Sequence, residues 1–399
     1  MLMAGSGFLA TLIGLRLERA GQGTMVIGAV ATAYFGGLVA GSLRANRIVR
    51  RVGHIRAFAA FVALLSASTL SYALIDPPLA WAGLRFVDGL CVAGVFVCLE
   101  SWLNDRAAPT TRGVVLAAYM VALYSGQAIG QMLLAAGGTA SATPFQIASI
   151  LISLAILPLC LTGSAAPAPP EARAFSLRTL FAVSPLGAVG ALVTGLMLGA
   201  FYGLAAVHVR RLGLDLSETA RFMTGVILGG VALQVPLGRL SDRIDRRVVL
   251  VSSFAAAAMV SAGLAFIRHE GFPLMALGAL FGGLAFALYP LSVAHSNDRL
   301  HAADRVAASG RLVLLYALGA AAGPVAGAWA MTILGMSGLF LFIAAAAGLA
   351  FAFGLWRLAT VEPVPVETQQ EFQILPRTTL MASILDPNTD EAPPESSAS

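Results

Sequence analysis

The run Gly238-Arg-Leu-Ser-Asp-Arg-Ile-Asp-Arg-Arg247, set beside Gly41-Ser-Leu-Arg-Ala-Asn-Arg-Ile-Val-Arg-Arg51, decides the fold. Both open with Gly-x-Leu where an apolar run is expected to end, and both close on Arg-Ile-x-Arg-Arg, the glycines 197 and the closing arginines 196 residues apart. Two further matches follow at nearly the same offset. Asn104-Asp105-Arg106 recurs as Asn297-Asp298-Arg299, and Tyr124 leading to Gly126 and Gly130 recurs as Tyr316 leading to Gly319, Gly323 and Pro324. Self-similarity repeated at one long period marks a duplicated chain, so two homologous halves are expected.

Composition says where those halves live. With 58% hydrophobic and 11% charged residues, 399 residues cannot be a soluble chain. A helix needs about 20 mostly apolar residues to cross the hydrocarbon core. Twelve such runs are read at 1–16, 24–44, 57–75, 79–103, 113–137, 145–163, 185–207, 218–238, 247–268, 272–295, 309–334 and 338–358. The fold expected is an all-α polytopic membrane protein with six spans in each half, related by an axis along the membrane normal. The first span, at 1.5 Å rise per residue, reaches only about 24 Å. It is short or truncated, so the expectation is an upstream start or roughly ten missing residues, set against the usual 20-residue span.

Every one of the 25 basic side chains is Arg. Sixteen fall in the loops on the side of the Gly41 and Gly238 runs and six on the other side, which places the first set, and both termini, in the cytoplasm. The domain order expected is an N-terminal half at 1–163, a Pro/Ala-rich cytoplasmic linker at 164–184, a C-terminal half at 185–359 and a tail at 360–399. The tail holds seven acids against the single base Arg377 and reads as disordered, although its stretch 372–385 could bind the membrane surface or another part of the protein. Without the tail the body carries +11, with its charges punctuating apolar runs rather than clustering on a polar domain, so a nucleic-acid partner is not expected. Cys91, Cys98 and Cys160 lie in apolar runs without a CxxC or Cys/His cluster and read as packing residues, so no metal, cofactor or disulfide is expected.

Twelve spans in two halves, with Gly238-x-Leu-Ser-Asp242-Arg243-x-x-Arg246-Arg247 after the eighth, resemble the major facilitator superfamily. Arg85-Phe-Val-Asp88-Gly89 resembles its Arg-x-x-x-Gly element, and Gly319-x-x-x-Gly323-Pro324 its glycine-proline element. The runs TAYFGGLVAGSL, RRVGHIRAFA and ESWLND resemble the YcaD-like bacterial transporters within it. The resemblance covers the chain to about Arg357 and implies a bacterial inner-membrane transporter, with spans 1, 4, 7 and 10 lining a central cavity. Asn46 stands where the first loop's acid is expected, which weighs against two symmetrical loop gates.

Charges inside a span cost about 2.5 to 3.5 kcal/mol each and need a partner or a task. Arg85 and Asp88, three apart on one helix, read either as a proton-coupling or substrate-anchoring pair or as a permanent ion pair bracing span 4. Glu100 lies about 22 Å further along the helix and belongs elsewhere. It is expected to hold Arg47, Arg50 or Arg51 as a gate, matched in the second half by Asp242 with Arg243 and Arg246 beyond Gly41 and Gly238. Substrate contacts are expected among Tyr34, Tyr124, Gln127, Tyr202 and Tyr289, with Tyr119, Gln234 and Tyr316 as further polar positions, although a tyrosine in a span also serves as a packing or belt residue. His208 and His295 read as solvated histidines at helix ends, and Gly126, Gly130, Gly319, Gly323 and Pro324 as helix-packing positions.

A primary pump is disfavoured by the absence of a GxxxxGK[ST] loop. A membrane enzyme would need clustered nucleophiles or histidines at one face, and the five histidines are scattered. The function expected is secondary active transport of a small organic solute by a monomer, proton-coupled, with export favoured. Uptake of a small organic acid held by Arg85 is the alternative, and a receptor or scaffold the alternative of another class.

Overall fold

The structure is a computed structural model that describes residues 1–75, 77–139, 141–161, 175–269 and 271–379. Among them there are helices and no strand. Span 1 is built from α1 (Leu2–Ser6) and α2 (Leu9–Arg19), followed by α3 (Thr24–Val52), α4 (His54–Ser71), α5 (Pro78–Arg106), α6 (Arg112–Gly137), α7 (Thr143–Leu154) and α8 (Ile156–Cys160). After α9 (Leu177–Val183) come α10 (Pro185–Arg211), α11 (Leu216–Ser241), α12 (Arg246–Phe266), α13 (Phe272–Asn297), α14 (Ala302–Leu334) and α15 (Gly338–Thr360). Nine stretches among the described residues are long and apolar enough to cross a membrane. One of them, Asp304–Thr360, contains both α14 and α15, which part at Gly335 where φ is +66°. With the interrupted helices α1–α2 and α7–α8, this is consistent with twelve spans.

The duplication is visible in the packing. The α3–α5 contact reappears as α11–α13, α4–α7 as α12–α15, and α1–α6 as α10–α14. Backbone approach explains the first pair. A Cβ on Gly37 would lie 2.0 Å from the Phe86 carbonyl oxygen, and one on Gly89 only 1.9 Å from that of Tyr34. Gly229 and Gly282 repeat this at 2.0 Å from Ala279 and 1.9 Å from Val226, so each pair is a reciprocal notch that lets two helices touch backbone to backbone. Gly126 and Gly130 receive α1 on α6, and Gly319 and Gly323 receive α10 on α14.

The halves meet through α3 on α14 and α6 on α11. Gly28 faces the Pro324 carbonyl there, and the Thr32 hydroxyl donates to the Ala321 carbonyl at 2.9 Å. At the end opposite the Arg-rich loops they are also tied by Arg211, whose Nε is 2.6 Å from Glu18 Oε1 and whose Nη1 is 3.1 Å from Thr24 Oγ1.

Several expectations change. The first helix reaches Arg19 rather than residue 16 but breaks at Gly7, where a Cβ would lie 3.1 Å from the Gln127 backbone and whose carbonyl accepts from Gln131 Nε2 at 3.0 Å. Gly41 does not end its helix. It lies well inside α3, seated against the Leu90 carbonyl, because α3 continues past the lipid-length stretch to Val52. The linker's Pro/Ala-rich part lies outside the described residues, and its last turn is α9, capped by Ser176 Oγ accepting from Thr179 N. Residues 361–379 are not a loose tail. They fold back onto the body, as described next, whereas the acidic run beyond 379 lies outside the described residues.

Candidate functional site

A cavity of about 180 Å³ lies between the halves, lined by α1–α6 on one side, by α10, α11 and α14 on the other, and by Arg377 and Thr378 of the tail. Arg85 and Asp88 open onto it although both are buried. Arg85 Nη1 stands 3.5 Å from Asp88 Oδ2, the oxygen that also accepts the Tyr72 hydroxyl at 2.6 Å. The guanidinium carbon rests 4.1 Å from the centre of the Tyr34 ring, a cation–π contact. Tyr72 is fixed by Phe145, stacked at 5.5 Å, and by Trp81, edge-on at 5.5 Å. Asp88 Oδ1 is buried with no hydrogen bond of standard geometry among the described residues, the Ser68 hydroxyl being its polar neighbour. The pair is therefore braced on one carboxylate oxygen, and its second oxygen has spare capacity for a proton.

Of the other expected contacts, Tyr34, Gln127 and Tyr202 line the cavity. Gln127 Oε1 and the Tyr202 hydroxyl are buried without a hydrogen bond of standard geometry among the described residues. Tyr124 and Tyr289 do not line it. Tyr124 accepts from Gln234 Nε2 at 3.2 Å and stacks on Phe286, while Tyr289 lies edge-on behind Tyr316, which takes the wall in its place. His208 and His295 are buried rather than solvated, His208 edge-on to Phe340 at 5.0 Å, because neighbouring helices cover both helix ends.

At the Arg-rich end one guanidinium organises the second half. Buried Arg246 bonds Asp242 Oδ1 at 2.7 Å and both oxygens of Asp298 at 2.7 Å, and donates to the Gln370 carbonyl at 2.6 Å. The tail completes this cluster, with Gln370 N on Asp298 Oδ1 at 3.1 Å and Phe372 N on Asp242 Oδ1 at 3.0 Å. The Phe372 ring fills the notch at Gly238. Arg243 is exposed, and the Asp242 carboxylate is taken by Arg246 instead. Asp298 was not expected as a gate residue, although the repeated Asn-Asp-Arg triplet marked its position. Burial pushes its carboxyl up, against the opposing pull of Arg246. Asp245, the N-cap of α12, is also raised by burial, but its hydrogen bonds to Arg247 prevail and hold it below the usual carboxylate range.

In the first half Arg47, Arg50, Arg51 and Asp105, the counterpart of Asp298, are exposed, so the expected bond from Glu100 to Arg47, Arg50 or Arg51 is not what the buried Glu100 makes. Glu100 faces inward, accepting the Tyr119 hydroxyl at 2.7 Å and the hydroxyls of Thr378 and Thr379 from the tail.

The family model for the major facilitator superfamily matches residues 187–388. An uncharacterized MFS-type transporter of Yersinia pestis is 30% identical over 351 residues, covering 86% of this chain and 89% of the relative. The MFS-type transporter YcaD of Escherichia fergusonii is 29% identical over 341 residues, covering 84% and 87%. Among solved structures, the nucleoside transporter NupG superposes with a TM-score of 0.70 at 13% identity over 90% of this chain and 96% of its own. A bacterial homolog of the human lysosomal transporter Spinster, inward-facing and unoccupied, gives 0.74 at 13% identity over 93% and 95%. At those identities the structures share the fold.

Proposed function

The chain belongs to the major facilitator superfamily and is a secondary transporter working by alternating access, and on that premise we propose that it exports a small, weakly charged organic solute in exchange for protons. The membrane is the bacterial inner membrane, the Arg-rich end and both termini are cytoplasmic, and the working unit is a monomer. The observation that carries the coupling is the Arg85–Asp88 pair at the wall of the inter-half cavity, with Arg85 and Tyr72 both on one carboxylate oxygen and no hydrogen bond of standard geometry on the other.

The mechanism follows from that geometry. When Asp88 is ionised it holds Arg85 and accepts from Tyr72; when a proton arrives on the other oxygen, the attraction to Arg85 falls and the pair loosens. A group whose ionic partner is released differently in two conformers couples protonation to the conformational equilibrium. Arg85, already engaged by Asp88 and by the Tyr34 ring, is poorly placed to hold a substrate carboxylate.

The test is an Asp88→Asn chain in proteoliposomes, given any solute that raises the melting temperature of the purified protein. Asparagine keeps the Tyr72 hydrogen bond but cannot ionise. Downhill flux should persist and its response to an imposed pH jump should vanish; an undiminished response would refute the coupling role.

A further inference from the structure

The tail carries seven acids and one base, and that base lines the cavity with its neighbour Thr378. Glu362, Glu367 and Glu371 stay exposed. The guanidinium carbon of Arg377 lies 4.5 Å from the centre of the Phe286 ring on α13 and 5.7 Å from that of Tyr316 on α14. Tyr124 stacks on Phe286 at 5.6 Å and Tyr202 tilts against it at 6.4 Å, so four rings from four helices form one box. Among the described residues no carboxylate pairs with Arg377; Glu100 instead holds Thr378 and Thr379, the two residues that follow it.

A cation taken from water into such a place needs compensation. Here it comes from ring faces, which carry negative quadrupole density and are attracted to guanidinium, the more weakly hydrated of the two basic side-chain heads. The same faces repel a carboxylate. We propose that Phe286 and Tyr316, with Tyr202 beside them and Tyr124 bracing Phe286, form a substrate subsite at the edge of the cavity for a monovalent organic cation of guanidinium or amine type, and that Arg377 is its intramolecular occupant, displaced when substrate binds. This rests on the transport reading above and names the solute class that the cavity takes. The buried Tyr202 hydroxyl, whose neighbour is the Arg377 side chain, supplies an acceptor for an N–H of such a ligand once Arg377 leaves.

The test compares benzylguanidinium, benzoate and benzyl alcohol, three probes of one ring and different charge, by calorimetric titration of the full chain and of Arg377→Ala in detergent. A tethered side chain competes at an effective concentration on the order of millimolar, so removing it should tighten benzylguanidinium binding about tenfold or more. Benzoate and benzyl alcohol should not bind measurably. In the Arg377→Ala background, Phe286→Leu keeps an apolar filler but no ring face and should weaken the cation about thirtyfold, the size of one desolvated cation–π contact. Tyr316→Phe, which keeps the ring, should not. Equal cation affinity with and without Arg377, or a Phe286→Leu chain that binds as before with an unchanged melting temperature, would overturn the assignment. Cation binding without flux in proteoliposomes would leave the subsite standing and remove the transport reading; binding and flux of benzoate would do the reverse.

Discussion

Arg85 and Asp88 illustrate what a single pair of residues can hold together. Both are buried on α5, and each is tolerable there because of the other. Truncating one partner strands the second, a loss of about 3–5 kcal/mol for buried pairs. Asp88→Ala should therefore lower the melting temperature of the purified protein sharply. Tyr72→Phe, which removes one hydrogen bond to a charged group, should cost only about 1.5–3 kcal/mol. Equal losses would show that Arg85 finds another partner. The pair was legible in the sequence because two ionisable residues stand out within an apolar run. Tyr72 was not, since its partner lies sixteen positions away on the next helix and nothing local distinguishes a tyrosine that bonds from one that packs.

At the scale of elements, hydropathy and length located the helices because lipid burial acts on each segment by itself. What joins them was less visible. The reciprocal notches Gly37 with Gly89 and Gly229 with Gly282 stand 192 and 193 residues apart, nearly the offset of the Asn-Asp-Arg triplets, yet single glycines among 42 carry no sign of which face they present. The Gly41 and Gly238 runs matched in the sequence at 197, but Gly41 lies deep in α3 while Gly238 sits three residues from the end of α11, so the loop signatures and the packing notches follow slightly different registers. The notches make a sharp prediction. Gly89→Ala must push α3 and α5 apart against a carbonyl at 1.9 Å and should cost about 1–3 kcal/mol, as overpacking does. Gly83→Ala, on the same helix with nothing within 4 Å, should be neutral or stabilise by up to about 1 kcal/mol. Thermal unfolding of the two purified variants decides it; a Gly89→Ala chain as stable as Gly83→Ala would mean the helices do not pack backbone to backbone.

For the whole molecule, the decisive relation is between the two ends. Arg211, Glu18 and Thr24 tie the halves together at one end, and the tail wedges between α5 and the α13–α14 wall at the other. Low hydropathy and high charge gave the tail the look of a solvated segment, because its docking depends on partners contributed by five helices that no local reading can assemble. Gln370 and Phe372 bind the second half alone, whereas Arg377, Thr378 and Thr379 reach from the α13–α14 wall to Glu100 of the first half, so a closure that brings the halves together at the Arg-rich end must expel them. Hydrogen bonds of net worth about 0.5–1.5 kcal/mol each sum to a bias of a few kcal/mol toward that conformer, against which substrate and protons must work. Deleting residues 362–399 should therefore shift the equilibrium toward the conformer closed at the Arg-rich end by about tenfold or more. Spin labels on Ile48→Cys and Ile244→Cys in a Cys160→Ser background, both exposed at that end in opposite halves, would report the shift as a shorter distance population, with Cys91 and Cys98 too buried to label. The truncated chain should also keep its flux, since none of Arg85, Asp88 and Tyr72 is touched. An unchanged distance distribution would show that the tail follows the conformation rather than setting it, and loss of flux with the fold intact would make the tail a working part of the transport cycle.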